Sequence, residues 1–395
     1  MSDPWLTIVG LGEDGLAGLS DASRTAIAGA EVIFGGPRHL TLVKAGARGR
    51  DWPVPFSIDP ILAEKGRKVV VLASGDPFWF GAGGSLSRAM DPAEWRVLPA
   101  PSAFSLAAAR LGWPLETCVI HGLHARPFAS LLPDLTPGRR ALCLMRDGAA
   151  VGDFARWLTD QGFGPSGLHI LERLGGPHER RRTTRAEAYD LPDVAAPVLA
   201  ALEVDGAPGL PATPGLPDDL FASDGVMTKR AVRALTLSAL APRAGQLLWD
   251  LGAGSGSVSV EWALAAPGAR AVAIETRADR LDNIHANLAR FGLGARVQTL
   301  SGNWADRIAT LPPPDAIFIG GGADRVGIET VLPHLRRFGR LVVNAVTLET
   351  QQVVTEAQAA HGGALLKIDL AEATPLGRLR GWQAARTVVQ WSLVR

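Results

Sequence analysis

Residues 247–262, LLWDLGAGSGSVSVEW, decide the fold of the second half of this chain. The apolar run Leu247–Leu251 predicts a buried strand, and the pattern from Val258 to Leu264 predicts a helix. The turn between them has a glycine at every second position from 252 to 256. Glycine allows a sharp turn and a close approach of the backbone to a ligand. A strand, a glycine-rich turn and a helix in this order predict a binding site at the carboxyl end of a strand in an α/β sheet.

The spacing of these glycines is GxGxG, which differs from the GxGxxG of dinucleotide sites. An acidic residue, Asp250, precedes the first glycine, and Glu275 ends the next predicted strand, where a carboxylate can accept both hydroxyls of a ribose. These features favour S-adenosylmethionine over NAD as the cofactor. The alternative is a glycine-rich turn that binds no ligand.

The alternation of apolar runs and helical patterns continues to residue 360 and predicts an α/β domain with a mostly parallel sheet. Further strands are predicted at 271–275, 296–300, 316–319 and 340–344, and helices at 228–240, 277–291, 325–332 and 349–360. No helix separates the last two apolar runs, Ala364–Leu370 and Ala385–Leu393. They predict an antiparallel hairpin at the edge of the sheet.

The segment Asp224-Gly-Val-Met-Thr228-Lys229-Arg230 precedes the first helix of this half. With the glycine-rich turn, it resembles the class I S-adenosylmethionine methyltransferases, which have a Rossmann-like fold, and in particular a methylase/decarboxylase domain of precorrin metabolism. The resemblance implies cofactor contacts at Thr228, Asp250, Gly252, Ala253, Gly254, Ser255, Gly256, Glu275, Asn303 and Trp304. Asn303 departs from the pattern, because many relatives carry an acidic residue there. Gly321, within a glycine triplet after a predicted strand, is a candidate for binding the acceptor substrate.

A stretch rich in proline and glycine, VDGAPGLPATPGLPDD, occupies residues 204–219. It has neither helical nor strand periodicity, and regular prolines favour extended, semi-rigid chains. The sequence therefore predicts a first domain of residues 1–203, a linker of residues 204–219 and a second domain of residues 220–395.

The first domain carries a different set of motifs, and its strand and helix patterns predict two α/β lobes. The motifs are LTIVGLGEDG at 6–15, GGPRHL at 35–40, ASGDPFWFG at 73–81, PAPSAF at 99–104 and ERLGGPHER at 172–180. Pro77 fixes its own φ and biases Asp76 towards an extended conformation, which shapes a loop after a strand. Together the motifs resemble the tetrapyrrole methylases, which are class III methyltransferases with a two-lobed fold. The resemblance implies cofactor contacts at Gly10, Gly75, Asp76, Gly81, Ser102, Ala103 and Met145.

The two halves in this order resemble a family of bifunctional methyltransferases of cobalamin (vitamin B12) biosynthesis. The resemblance implies methylation of carbons 5 and 15 of a precorrin-6 intermediate and decarboxylation of its ring C acetate, which gives precorrin-8. It assigns carbon 15 and the decarboxylation to the second half and carbon 5 to the first. Each half then binds one S-adenosylmethionine. One alternative is that the first half only binds substrate; another is a nucleic-acid or protein methyltransferase.

Composition bears on these alternatives. There are 40 Lys and Arg residues against 39 Asp and Glu, a net charge of +1, which favours neither nucleic acid nor a membrane surface as partner. His39, His121 and His124 show no metal-ligand spacing, and neither cysteine has a CxxC partner, so we expect no metal. The N-terminal stretch has no signal-peptide pattern, so we expect a cytoplasmic protein. We also expect a homo-oligomer.

The resemblance implies a corrinoid tetrapyrrole substrate with several carboxylates, which local arginines must bind. Arg378 and Arg380, in a predicted loop bounded by glycines, are candidates because guanidinium groups bind carboxylates through two hydrogen bonds. The charged run from His178 to Arg185 predicts a solvated hairpin. No Ser–His–Asp set is present, and the sequence assigns no catalytic residue.

Overall fold

The computed structural model describes residues 4–53 and 55–395. The chain divides into two compact units. The first contains the residues up to Phe128 together with Asp134–Gly209, and the second contains Ala129–Pro133 together with Leu210–Arg395.

The first unit begins with a sheet of five parallel strands in the order β3-β2-β4-β1-β5. These strands are β1 (Leu6–Leu11), β2 (Val32–Gly35), β3 (Gly49–Asp51), β4 (Val69–Ser74) and β5 (Trp95–Leu98). The helices around them are α1 (Asp21–Gly29), α2 (Pro37–Leu42), α3 (Asp59–Leu62) and α4 (Gly83–Ala89). Every residue of β1 and β2 is buried, which explains why these strands read as unbroken apolar runs.

The second sheet of this unit is mixed, with the order β6-β7-β10-β8-β9. Its strands are β6 (Cys118–Gly122), β7 (Arg140–Leu144), β8 (Gly167–Glu172), β9 (Arg180–Arg185) and β10 (Val198–Glu203), and its helices are α5 (Ala103–Leu111) and α6 (Gly148–Asp160). Strand β10 runs antiparallel to both of its neighbours. The two lobes predicted from the sequence correspond to these two sheets.

The charged run predicted as a solvated hairpin forms edge strand β9, paired with β8. Arg180 and Arg182 donate to the carboxylate of Glu172, which is only 1% exposed. The predicted hairpin is present and its strand is mostly exposed. In addition, two of its cations neutralise a buried anion on the neighbouring strand.

The second unit contains a sheet of seven strands in the order β13-β12-β11-β14-β15-β19-β16. The strands of the second unit are β11 (Leu247–Leu251), β12 (Arg270–Glu275), β13 (Val297–Ser301), β14 (Ala316–Ile319), β15 (Arg340–Ala345), β16 (Ala364–Ile368), β17 (Ala371–Leu376), β18 (Leu379–Ala384) and β19 (Val388–Val394). The helices are α7 (Arg230–Leu240), α8 (Ser257–Ala265), α9 (Ala278–Arg290), α10 (Arg325–Val331) and α11 (Leu348–His361). The first five sheet strands are parallel, and β19 is antiparallel to β15 and β16. The α/β class and the antiparallel edge pair are confirmed.

Alternate residues of each central strand pack into different cores, one on each face of this sheet. Leu248 belongs to one core, with Trp262 and Phe318, whereas Trp249 belongs to the other, with Trp391. Because both faces are covered, the central strands are mostly apolar.

Part of the predicted linker is packed onto the second unit. Leu216 is 3% exposed and lies in the core with Trp262. The backbone N–H groups of Gly215 and Leu216 donate to the carboxylate of Glu261 at 2.6 and 3.0 Å. Because this part of the predicted linker packs on the second unit, the boundary between the compact units falls between Gly209 and Leu210.

Candidate cofactor and substrate sites

The glycine-rich turn after β11 forms an open cradle. Gly252, Gly254 and Gly256 all have positive φ, at 73°, 60° and 73°. A Cβ at Gly252 would meet no atom within 4 Å, and one at Gly254 would meet only the carbonyl of Val226 at 3.9 Å. At Gly256 it would lie 3.1 Å from Ile284. The first two glycines therefore leave space above the turn, and the third allows α8 to pack against α9.

Asp250 lies under this cradle and is fully buried. Its Oδ2 accepts hydrogen bonds from the backbone N–H and the hydroxyl of Ser259, at 3.2 and 2.6 Å. Burial raises the pKa of Asp250 to about 6. Its Oδ1 and the hydroxyl of Ser255 are enclosed without a hydrogen-bond partner. Two unpaired polar atoms beside an open cradle fit a polar ligand bound at the turn.

Glu275 joins the end of β12 to the same turn. Its Oε2 accepts from the N–H of Gly254 at 2.8 Å, and its Oε1 accepts from the N–H of Thr276 at 2.9 Å. The residue is 5% exposed. Strands β11 and β12 are parallel neighbours, so their carboxyl ends meet at one edge of the sheet. The structure thus brings Asp250, Glu275 and the turn together, as their positions at strand ends predict.

The other predicted contacts of the second unit surround this edge less closely. The Val226 carbonyl above Gly254 places the segment that ends at Thr228 beside the cradle. Asn303 follows β13, and its side chain accepts from the N–H of Ala305 at 3.0 Å, so it caps a short turn that contains Trp304.

Trp304 packs against the core that contains Trp249, on one face of the sheet. Ala253 packs against the core that contains Trp262, on the other face. A Cβ at Gly321 would meet open space. The contacts of these residues with a cofactor or substrate stay predictions.

Arg378 lies in a turn, in keeping with the predicted loop, whereas Arg380 lies on β18 of a two-stranded ribbon of β17 and β18. Arg378 is in the turn of the ribbon and Arg380 faces Pro375 across it. Both arginines are exposed. Hydrogen bonds between the two strands stabilise the backbone of a segment whose glycines suggested an irregular chain.

The first unit has a cavity of about 710 Å³ between its two sheets. Residues after β1 and β4 line one side, and residues of β7, β8 and β10 line the other. Five of the predicted cofactor contacts are among the lining residues, namely Gly75, Gly81, Ser102, Ala103 and Met145. A cavity of this size is within the range of small-molecule sites.

Gly10 and Asp76 are not among the lining residues. A Cβ at Gly10 would lie 2.0 Å from the carbonyl oxygen of Gly75, so this glycine allows two strand ends to approach closely. Gly75 has φ 54°, and a Cβ there would lie 2.9 Å from the carbonyl oxygen of Pro101. Asp76 accepts from the N–H of Phe78 at 2.9 Å. These residues shape the backbone beside the cavity, and their contact with a cofactor stays a prediction.

The cavity also contains polar side chains for which the sequence predicts no role. Arg38 contacts the carboxylate of Glu13, and its Nη2 lies 2.8 Å from Nε2 of His39. Burial, with a smaller contribution from the charge of Arg38, lowers the pKa of His39 to about 4. The motif GGPRHL contains two of these residues, but only the fold shows that they face Ser74 at the end of β4.

The aromatic residues Trp52, Phe56, Trp79 and Phe80 line the cavity with them. Phe56, Trp79 and Phe80 each remain more than 40% exposed. They come from two separate segments of sequence, so spacing alone does not bring them together. A partly exposed aromatic wall suits a ligand with a flat face.

Two findings concern membrane-spanning helices and clusters of metal ligands. Within residues 4–53 and 55–395, no helix is long and apolar enough to cross a membrane. In the same residues, no group of three or more His, Cys, Asp or Glu side chains is placed to hold a metal ion.

The glycine cradle at the edge of a mostly parallel sheet and the cavity of the first unit are candidate binding sites within the described part of the chain. The model of the tetrapyrrole (corrin/porphyrin) methylases matches residues 5–190, and that of the precorrin methyltransferase domain matches residues 219–395. The chain is a methyltransferase. It belongs to the family of precorrin-6Y C(5,15)-methyltransferases (decarboxylating).

Relatives that carry this name match nearly the whole chain. One from Sinorhizobium sp. is 47% identical over 98% of this chain and 96% of its own. One from Mycobacterium tuberculosis (strain CDC 1551) is 39% identical over 99% of this chain and all of its own. The solved C-terminal domain of such a protein from Rhodobacter capsulatus is 51% identical, covers 47% of this chain and all of its own, and has a TM-score of 0.46.

A shorter relative from Pyrobaculum calidifontis is named "Probable cobalt-precorrin-6B C(15)-methyltransferase (decarboxylating)". It is 36% identical over 46% of this chain and 92% of its own length.

Proposed function

We propose that the chain methylates carbons 5 and 15 of a precorrin-6 intermediate and removes the ring C acetate carboxylate as carbon dioxide, which gives precorrin-8. The second unit methylates carbon 15 and decarboxylates, and the first unit methylates carbon 5. The observation that carries this division is the presence of two unlike sites, the cradle at 252–256 and the cavity lined by Gly75 and Ser102, in separate compact units. The shorter relative supports it, because its name contains only carbon 15 and the decarboxylation.

Each unit binds one S-adenosylmethionine, which supplies a methyl group already activated on a sulfonium. In the second unit the open faces of Gly252 and Gly254 admit the cofactor, and Glu275 accepts hydrogen bonds from its ribose. Asp250 keeps an unpaired oxygen for a donor on the ligand. The protein mainly aligns the acceptor carbon with the methyl group and excludes water, which is catalysis by proximity.

The carboxylates of the tetrapyrrole bind Arg378 and Arg380, which are exposed in the ribbon of the second unit. The near balance of charge supports a small-molecule substrate over nucleic acid. Neither unit requires a metal in this scheme, and the chain works as a homo-oligomer.

Calorimetric titration with S-adenosylhomocysteine tests the number of sites. We expect two sites in the parent chain, loss of one in Gly254→Val, where the side chain enters the open cradle, and loss of the other in Ala103→Trp, where it fills the cavity. Gly75 is a poor choice for the second variant, because its Cβ would strike the backbone of Pro101.

A melting curve of each variant verifies that it folds, since Val at a positive φ is strained. A single site in the parent, lost in Gly254→Val and kept in Ala103→Trp, would show that the first unit only binds substrate.

A further inference from the structure

His124 lies in the cavity of the first unit, after β6, and faces the loop that contains Gly75 and Gly81. Its ring meets that of Phe80 edge to face, with centroids 6.1 Å apart. Gly122 makes room for both rings, because a Cβ there would lie 3.1 Å from the His124 ring and 3.2 Å from Phe80. The imidazole is thus placed beside the proposed cofactor loop.

No protein group within the described part of the chain forms a hydrogen bond with His124. Its Nδ1 is enclosed without a partner, and its Nε2 is not among the enclosed atoms. Burial, with a smaller contribution from the charge of Arg126, lowers the pKa of His124 below its usual range. The ring is therefore neutral at pH 7 and has a lone pair that can accept a proton.

His39, the other histidine of the cavity, is differently placed. Its Nε2 lies 2.9 Å from the hydroxyl of Ser74 and 2.8 Å from Nη2 of Arg38. An arginine donates and never accepts, so the lone pair of this nitrogen is already used. Glu13, the acidic residue among the lining residues, contacts Arg38. His124 is therefore the lining base with a nitrogen free for the substrate.

Methylation of a conjugated carbon that bears hydrogen must release one proton. The bond between sulfur and methyl breaks with its electron pair on sulfur, and a new bond forms between methyl and the acceptor carbon. That carbon then holds both hydrogen and methyl, and the positive charge spreads over the pyrrole nitrogens. Loss of the hydrogen as a proton restores the conjugation, and a base in the cavity must accept it.

We propose that His124 is the general base of the first unit and takes this proton from the acceptor carbon. The inference rests on the proposed function, because it requires that the first unit methylate carbon 5. General-base catalysis contributes roughly 10²–10⁴-fold to a rate, so removal of the base slows the step by that factor.

The test uses the full chain, S-adenosylmethionine and the tetrapyrrole substrate with hydrogen or deuterium at carbon 5. In His124→Gln, single-turnover formation of the conjugated product methylated at carbon 5 falls on the order of 10²–10⁴-fold, because proton loss follows methyl transfer. A primary deuterium isotope effect larger than that of the parent appears, because proton loss becomes rate-limiting. Binding of S-adenosylhomocysteine stays within twofold of the parent, and added imidazole restores part of the rate.

His169→Gln is the matched control. His169 lies on β8 of the same unit, and its Nδ1 is 3.0 Å from the hydroxyl of Thr183. Its burial also lowers its pKa, but it is outside the cavity lining, so its rate and isotope effect match the parent. If His124→Gln melts early, His124→Asn replaces it in the same measurement.

The proposal is wrong if His124→Gln forms the conjugated product methylated at carbon 5 within threefold of the parent rate. It is equally wrong if only the Michaelis constant rises and the isotope effect is unchanged, since His124 then merely contacts substrate. Failure of the proposed function looks different: Ala103→Trp, which blocks the cavity, would still methylate carbon 5 at the parent rate.

Discussion

The carboxylate of Glu261 is the anchor of the segment that leads into the second unit. Its Oε1 accepts from Nε of Arg233 at 2.5 Å, and both residues are at most 3% exposed. Arg233 also donates to the carbonyl of Thr228 at 2.6 Å and to Asp218 at 2.9 Å. The ion pair of Glu261 and Arg233 therefore holds the chain on both sides of the segment in which Val226 lies beside the cradle.

Glu261→Gln keeps the shape of this side chain and removes its charge. The buried guanidinium of Arg233 loses its closest anion, and an N–H of Gly215 or Leu216 loses a strong acceptor. Removal of one partner of a buried ion pair costs about 3–5 kcal/mol. For a unit of about 150–250 residues, 1 kcal/mol lowers the melting temperature by about 2–4 °C. The second unit should therefore melt on the order of 6–20 °C lower.

Differential scanning calorimetry of the full chain measures this change, since only one of two transitions should move. Asp279→Asn is the control, because Asp279 pairs with Arg277 on the surface of the same unit and both are more than half exposed. Its transition should coincide with that of the parent. The double variant Arg233→Met, Glu261→Leu should recover part of the loss, because no unpaired charge remains buried. A shift under about 2 °C for Glu261→Gln would show that the buried pair does not stabilise the second unit.

Three further predictions concern the proposed sites. Glu275→Gln should weaken cofactor binding at the second unit about 10–100-fold, since a hydrogen bond to a charged group contributes about 1.5–3 kcal/mol; calorimetric affinities within twofold of the parent would contradict the ribose contact. Because the folded chain holds the proton of Asp250 more tightly than the unfolded chain does, ionisation of this group weakens folding as the pH rises from about 4 to about 6. Without cofactor, the free energy of unfolding of Asp250→Asn, measured relative to that of the parent, should therefore rise by about 3 kcal/mol from pH 4 to pH 8. Urea titrations that show no such trend would contradict the raised pKa of Asp250. Replacement of both Arg378 and Arg380 by Ala should raise the Michaelis constant for the tetrapyrrole and leave cofactor affinity alone; an unchanged constant would make them solvated surface residues.

The sequence predicts which residues of the second candidate site lie together, because its parts are local. The turn at 252–256 is contiguous, and Glu275 is found by looking for the end of the next strand, since parallel neighbours share an edge. The first site is harder, because its cavity is lined by loops from two sheets. His124 and Phe80 are far apart in sequence and meet over Gly122, a contact without a local signal.

Residues can also belong to a motif for reasons that only packing reveals. Gly10 and Gly75 lack side chains because two backbones approach closely, and this requirement would exist without a ligand. The prolines near 211–217 suggested a free linker, yet Leu216 is buried and its N–H is bound by Glu261. A composition rich in proline describes the local conformation of the chain and does not predict what the chain packs against.

If the first unit methylates carbon 5 and the second methylates carbon 15, the position of each new methyl group must depend on which unit is intact. Ala103→Trp should be given the precorrin substrate and S-adenosylmethionine labelled with ¹³C in its methyl group, and the product should be analysed by NMR and by mass. We predict a single labelled methyl group at carbon 15 with carbon dioxide lost, and no label at carbon 5. Label at carbon 5 in this variant, at the rate of the parent, would contradict the assignment of that methylation to the first unit.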